Sequence, residues 1–381
     1  MRTVRSIKIL KNIPVLVRCA LNVPVEKGKV TGTFRLRRAL PTIEYLQKKG
    51  ARVILIGHIG EKGTETLRPV YEAMKVFLPD IEFSEFSIGK EAREAVRQIP
   101  PGGVLMLENL RRHRGETMNN EDFARELASL GDIFVEDSFD VCHRKHASVV
   151  GIPQFLPSYA GFLVEEEVKQ LSKALAPKKP AVAIIGGAKF STKEPVLVAL
   201  LKQYAHILVG GALANDFIKA EGHSVGTSLV SDTDPKEIRK LLRQKEILVP
   251  RDVLVGPIDG TSADGHAAWV DHIPNDQAAL DVGPDTITAL IPYIQKAKTI
   301  LWNGPLGRYE NGFTEGTKAL AKLIVASKAH TILGGGDTVT ALDELGLTSK
   351  FSFVSTGGGA MLDFLAEGTL PGLEALEPKK R

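Results

Sequence analysis

Nearly the whole chain repeats one pattern: a short apolar run ends on Gly, Asn, Asp or His, and an amphipathic stretch of helical length follows. The regular switch from strand-like to helix-like spacing predicts an α/β fold. In the first half the expected strands are 14–19 (PVLVRC), 52–57 (RVILIG), 104–108 (VLMLE) and 133–137 (IFVED). Helices are expected over 37–49 and 119–130, with Gly50 and Gly131 as their C-terminal caps. In the second half the strands are 181–185, 206–209, 299–302, 331–333 and 351–355. The expected architecture is two doubly wound parallel-sheet domains.

A chain of 381 residues suits two domains better than one. The best boundary lies at 163–180, where LVEEEVKQLSKAL reads as a connecting helix and is followed by the Pro- and Lys-rich APKKPA. The domains are therefore expected at 1–162 and 181–355, with 163–180 as connecting helix and hinge and 356–381 as a terminal segment. A formal net charge of only +4 argues against a dedicated nucleic-acid binder. No apolar run approaches the length of a membrane span, and no export signal is visible. Two cysteines, Cys19 and Cys142, fit a reducing compartment, so a cytoplasmic protein is expected.

In open parallel sheets ligands bind beyond the carboxyl ends of the strands. There the first half places Arg18, Asn22, His58, Arg111 and the stretch His143, Arg144, Lys145, His146, with Arg35 nearby. This cationic set suits a small anion that carries phosphate. The second half places glycines at the same point: GGAKFSTK (186–193), GGALAN (210–215), WNGP (302–305), GGGD (334–337) and TGGGA (356–360). Glycine lets backbone N–H groups and helix N-termini approach a polyphosphate. Lys189 and Lys193 share a face if they open a helix, and Asp337 reads as a magnesium-facing carboxylate or an N-cap. Neither G-x-x-x-x-G-K-[ST] nor G-x-G-x-x-G occurs, so the usual fingerprints of P-loop and dinucleotide proteins are missing. Cys142, His143 and His146 have no evident fourth partner and lie beside Arg144 and Lys145, so no metal is expected there.

From about Val15 to Leu376 the chain resembles the phosphoglycerate kinase family. The likeness rests on VLVRCALNVP (15–24), RLRRALPTI (35–43), LENLRRH (107–113), HRKHAS (143–148), GGAKFSTK (186–193), WNGPLGRYE (302–310), GGGDT (334–338) and STGGGA (355–360), in the family's order and spacing. The resemblance implies two domains facing a cleft, closing by a hinge at 163–180, with 356–381 returning to the N-terminal domain. It implies 3-phosphoglycerate or its acyl phosphate on the first domain and ATP or ADP with Mg2+ on the second, in a monomer without nucleic-acid or membrane partners.

By family motif Arg35 is the catalytic arginine, and Asn22, His58, Arg111 and Arg144 are the other acid ligands. Lys189 and Lys193 would meet phosphates, Asn303, Pro305 and Glu310 the nucleotide, and Asp337 the metal. Gly187, Gly210, Gly211, Gly335, Gly336, Thr338 and Gly357 to Gly359 would supply backbone groups. Lys189, Gly336 and Gly359 join Arg35 in the catalytic set.

The chain departs from that pattern mainly in the acid half. The family's R-x-D-F-N-V-P reads here Arg18-Cys19-Ala20-Leu21-Asn22-Val23-Pro24, so the carboxylate that accepts the glycerate hydroxyl is missing. Glu61 stands where the family has an arginine, a repulsive neighbour for a phosphate unless it swings away or Lys62, Arg112 or Arg114 replaces the lost cation. Gly57 for Ser, Arg112 for Phe and Phe353 for His are smaller changes. Three readings follow: a rewired phosphoglycerate kinase, a kinase for another acid, or an impaired relative that only binds nucleotide.

Overall fold

A computed structural model of the chain describes residues 1–377. They form two compact units, one from Met1–Lys169 together with the chain from Thr369 onward, the other from Gln170–Gly368. The divisions fall inside the helix Phe162–Leu175 and after Gly368, whereas the sequence suggested 163–180 and 355/356. The later division arises because the helix Gly359–Glu367 packs against Glu194–Leu201 and stays with the second unit. Beyond it, Gly372 N–H donates to the Cys142 carbonyl at 2.8 Å and ties the following segment to the first unit.

The first unit is a six-stranded parallel sheet in the order Glu82–Ser84, Val104–Leu107, Arg52–Ile56, Pro14–Cys19, Ile133–Asp137, Ser158–Ala160. Successive strands lie to one side of Pro14–Cys19 until Ile133–Asp137 is placed on its other side, so the winding reverses between these two. In register, Cys19 pairs with Asp137 and Arg18 with both Ile56 and Glu136. The helix Phe34–Lys48 buries Leu36, Ala39, Ile43 and Leu46, whose spacing of three and four keeps them on one face against the sheet. Asp137 ends its strand by accepting from Leu163 N–H at 2.9 Å, which caps the helix Phe162–Leu175. Burial raises this carboxyl to about 7.

The second unit holds another six-stranded parallel sheet, in the order Ile247–Leu248, His206–Val209, Ala181–Ile185, Thr299–Asn303, His330–Gly334, Phe353–Val354. Its winding reverses between Ala181–Ile185 and Thr299–Asn303. Beside it lies an antiparallel sheet, His266–Trp269, Asp252–Gly256, Ala278–Val282, which the sequence did not suggest. Its edge strand His266–Trp269 is largely exposed and so lacks a buried apolar run. The last parallel strand is only Phe353–Val354, shorter than expected. Gly50 has the left-handed φ of +74° that suits a C-terminal cap. Gly131 does not; a Cβ there would stand 3.0 Å from Leu16 Cγ, so close packing selects the glycine. No helix of the described residues is long and apolar enough to cross a membrane.

Candidate functional site

In the first unit the reversal point carries a chain of buried hydrogen bonds. Glu116, fully buried, accepts from Ser148 N–H at 2.9 Å and Ser148 Oγ at 2.6 Å. Ser148 Oγ in turn accepts from Arg18 Nε at 2.9 Å, and Arg18 Nη2 lies 3.1 Å from His58 Nδ1. Ser148 is held by a π-helical turn, Ala147–Gly151, a departure from α geometry often met at functional sites. Burial and then the Arg18 charge push the His58 ring far below the usual histidine range, so the ring is neutral. Arg18 carries no acceptor, so His58 Nδ1 must accept and the proton sits on Nε2, which is left as a donor.

Around this pair stand the other expected acid ligands. Arg111 Nη1 donates to the Gly60 carbonyl at 2.5 Å, and Asn22 Oδ1 accepts from Gly60 N–H at 3.1 Å. Arg35 Nη1 donates to the Asn22 carbonyl at 2.6 Å and lies 3.9 Å from Asp140 Oδ2. Arg144 is exposed, and its charge still bears on Arg111 and His146. Burial, followed by these arginines, lowers His146 to about 4. His58 and His146 therefore add no positive charge to the set at neutral pH.

One of the departures acquires a physical reason. A Cβ on Gly57 would meet Leu21 Cδ1 at 2.6 Å, so the residue is glycine because Leu21 fills the space. Ala20 is fully buried. Glu61 and Lys62 are exposed after the strand Arg52–Ile56, and Glu61 bears on Arg111. Arg112 Nη1 is committed to Glu108 Oε2 at 3.2 Å, which argues against its standing in for the lost cation.

In the second unit the glycines shape the strand ends. Gly186 and Gly304 approach so closely that a Cβ on Gly186 would lie 2.7 Å from the Gly304 carbonyl oxygen. Gly335, at φ +93°, is the N-cap of the helix Gly336–Glu344, which rules out the N-cap reading of Asp337. Asp337 is instead an exposed residue in that helix's first turn. Gly211 caps Ala212–Glu221, Gly358 caps Gly359–Glu367, and Gly210 is packed against Leu306. A cavity of about 680 Å³ is lined by Gly187, Gly211, Pro305, Glu310 and Asp337 among the expected residues. Leu229, Ile258, Leu280 and Leu306 add an apolar wall that the sequence did not signal, partly from the antiparallel sheet.

Lys189 and Lys193 do not share a helical face. They flank a 3-10 turn, Phe190–Thr192, with Lys189 exposed and Lys193 Nζ 3.4 Å from Asn303 Oδ1. Burial lowers Lys193 to about 8, against the pull of Asp337 and Asp363. Asn303 and Thr338 are buried beneath the glycine loops, and Thr338 Oγ1 accepts from Gly304 N–H at 3.0 Å. Among the described residues no group of three or more His, Cys, Asp or Glu is placed to hold a metal. A lone exposed carboxylate at Asp337 fits magnesium that is shared with phosphate oxygens and water, the usual state of that ion.

These features define a class of protein, a two-unit α/β phosphotransferase with anion donors on one unit and a glycine-backed cavity on the other. The family model described as phosphoglycerate kinase matches residues 4–368. The phosphoglycerate kinase of Moorella thermoacetica is 44% identical over 383 residues, covering 97% of this chain and 98% of that protein. That of Thermus thermophilus is 43% identical over 376 residues, covering 95% and 96%. Among solved structures, phosphoglycerate kinase from Coxiella burnetii aligns with a TM-score of 0.84 at 36% identity over 98% of both chains. The Pyrococcus horikoshii enzyme aligns at 0.89 and 28% identity, covering 99% of this chain and 98% of that one. The chain belongs to the phosphoglycerate kinase family.

Proposed function

We propose that the protein transfers a phosphoryl group reversibly between 1,3-bisphosphoglycerate and Mg-ADP, giving 3-phosphoglycerate and ATP. The observation that carries this reading is the buried relay from Glu116 through Ser148 and Arg18 to His58, which fixes donors of constant charge at the reversal point of the first sheet. His58, Asn22, Arg111 and Arg144 hold the acid, and Arg35 reaches its carboxyl end, where charge spreads during transfer. The glycine loops and Lys193 bind the nucleotide phosphates, with Asn303, Thr338 and Pro305 shaping the loops and Glu310 at the cavity wall. Lys189 and the backbone N–H groups at Gly336 and Gly359 face the moving group. When bound with the nucleotide through Asp337, magnesium supplies positive charge to the phosphate oxygens.

Such transfer needs little covalent work from a protein; positioning and charge stabilisation carry the rate. Acid and nucleotide must meet with water excluded, so we assign bending to the segment 163–180. Both cysteines are buried and unpaired, which suits a cytoplasmic protein. The monomeric state is read from similarity to the family. A coupled assay of ADP release from Mg-ATP is expected to show turnover that depends on 3-phosphoglycerate. Binding of Mg-ADP without any such turnover would leave an impaired relative and overturn the reading.

A further inference from the structure

The acid site is almost all donors, yet an α-hydroxy acid also presents a hydroxyl that needs an acceptor. Arg18, Arg35, Arg111 and Arg144 donate only, and His58 offers its Nε2 proton. Ala20 accepts nothing. Besides Glu136, which is fully buried at the strand position beside Arg18 and so closed to a ligand, three carboxylates lie within the electrostatic reach of this set. Glu116 is committed to Ser148 through both oxygens. Glu61 is exposed on the loop after its strand. The third is Asp140, whose side chain is 7% exposed.

We infer that Asp140 accepts the substrate's α-hydroxyl and so replaces the carboxylate absent at Ala20, an assignment that rests on the proposed phosphoglycerate kinase activity. Topology brings the two positions together. Cys19 pairs with Asp137 across adjacent parallel strands, so Ala20 and Ser138 leave the sheet side by side at the reversal point, and Asp140 follows in the next turn. Ser138 Oγ donates to Asp140 Oδ1 at 2.6 Å and fixes the carboxylate. Oδ2 faces Arg35 Nη1 at 3.9 Å, the outer limit of an ion pair, so a group held by Arg35 is presented to this oxygen. When Arg35 grips the acid's carboxyl, the hydroxyl on the adjacent carbon is carried toward this oxygen, which can accept it in an O–H to carboxylate bond of roughly 2.7 Å.

The test compares 3-phosphoglycerate with 3-phosphooxypropanoate, the same acid without its hydroxyl, by titration and by the ADP-release assay on the full chain. Asp140→Ala is expected to weaken 3-phosphoglycerate about 10- to 100-fold in Kd and KM. Its affinity for 3-phosphooxypropanoate should stay within about twofold of the parent's, and Mg-ADP affinity should not change. The isosteric Asp140→Asn keeps an acceptor oxygen without the charge, should show a smaller loss of the same selectivity, and carries the test if the alanine variant does not fold. Equal losses with both acids would mean that Asp140 acts only by holding Arg35, and would overturn the assignment. Unchanged affinity for 3-phosphoglycerate would overturn it too. A parent that turns over neither acid would instead overturn the proposed activity, a different and separately visible result.

Discussion

Lys193 is the residue at which burial and ligand charge compete. Its amine, lowered to about 8 by burial, is mostly charged at neutral pH but loses its proton just above. A bound polyphosphate favours the charged form, so Mg-ADP affinity should fall as pH rises through about 8, by up to tenfold per pH unit. Folding stability should move the other way. Between the folded value of about 8 and the ordinary 10.5 the unfolded chain binds more protons, so the second unit gains stability as pH rises through that window. Titration of Mg-ADP from pH 7 to 9.5, with denaturant unfolding of the free protein, checks both slopes; Lys193→Met should flatten each. At this scale the sequence marked the donors, because arginine and histidine just beyond an apolar run stand out. Glu116, Ser148 and Asp140 were not legible. Their roles depend on which strand end each loop returns to, and a carboxylate in HRGET or SFDVC has no local signature. The shared-face reading of Lys189 and Lys193 failed because a 3-10 turn, not an α-turn, separates them.

At the scale of elements, the glycine loops of the second unit are held from below. Thr338, in the first turn of Gly336–Glu344, accepts from Gly304 N–H and so links one strand-end loop to the next helix. Thr338→Val keeps the shape and removes the acceptor, leaving a buried N–H unpaired. The expected cost is about 1–3 kcal/mol of stability with several-fold weaker Mg-ADP binding, while Thr338→Ser should restore most of both. Denaturant unfolding and ligand titration of the two variants decide it; an unaltered valine variant would show that the loop holds itself. The central strands were legible because burial on both faces demands continuous apolar runs, as in Pro14–Cys19 and Ala181–Ile185. The edge strands Glu82–Ser84 and Ile247–Leu248 are too short to leave such a run, and the antiparallel sheet exposes part of its surface.

For the molecule as a whole, the proposed division of labour between the units is the reading most open to test. The sequence separated a cationic half from a glycine-rich half, since ligand chemistry is written at strand ends. It could not fix the unit boundaries, because they fall within or just after helices, where amphipathic pattern runs on unbroken. Each ligand should order the backbone that binds it, which amide hydrogen exchange reads directly. Mg-ADP alone should slow exchange at 186–193, 210–213 and 335–338, which end strands or open helices of the second unit. 3-Phosphoglycerate alone should slow it at 20–22, 58–61 and 140–148 in the first. Mg-ADP protecting the acid segments as strongly as its own would contradict the assignment of one ligand to each unit. With both ligands bound, the segment 163–180 should be the additional region whose exchange changes, because a segment that bends during transfer must redistribute its helical hydrogen bonds while the sheets that carry the two sites keep theirs.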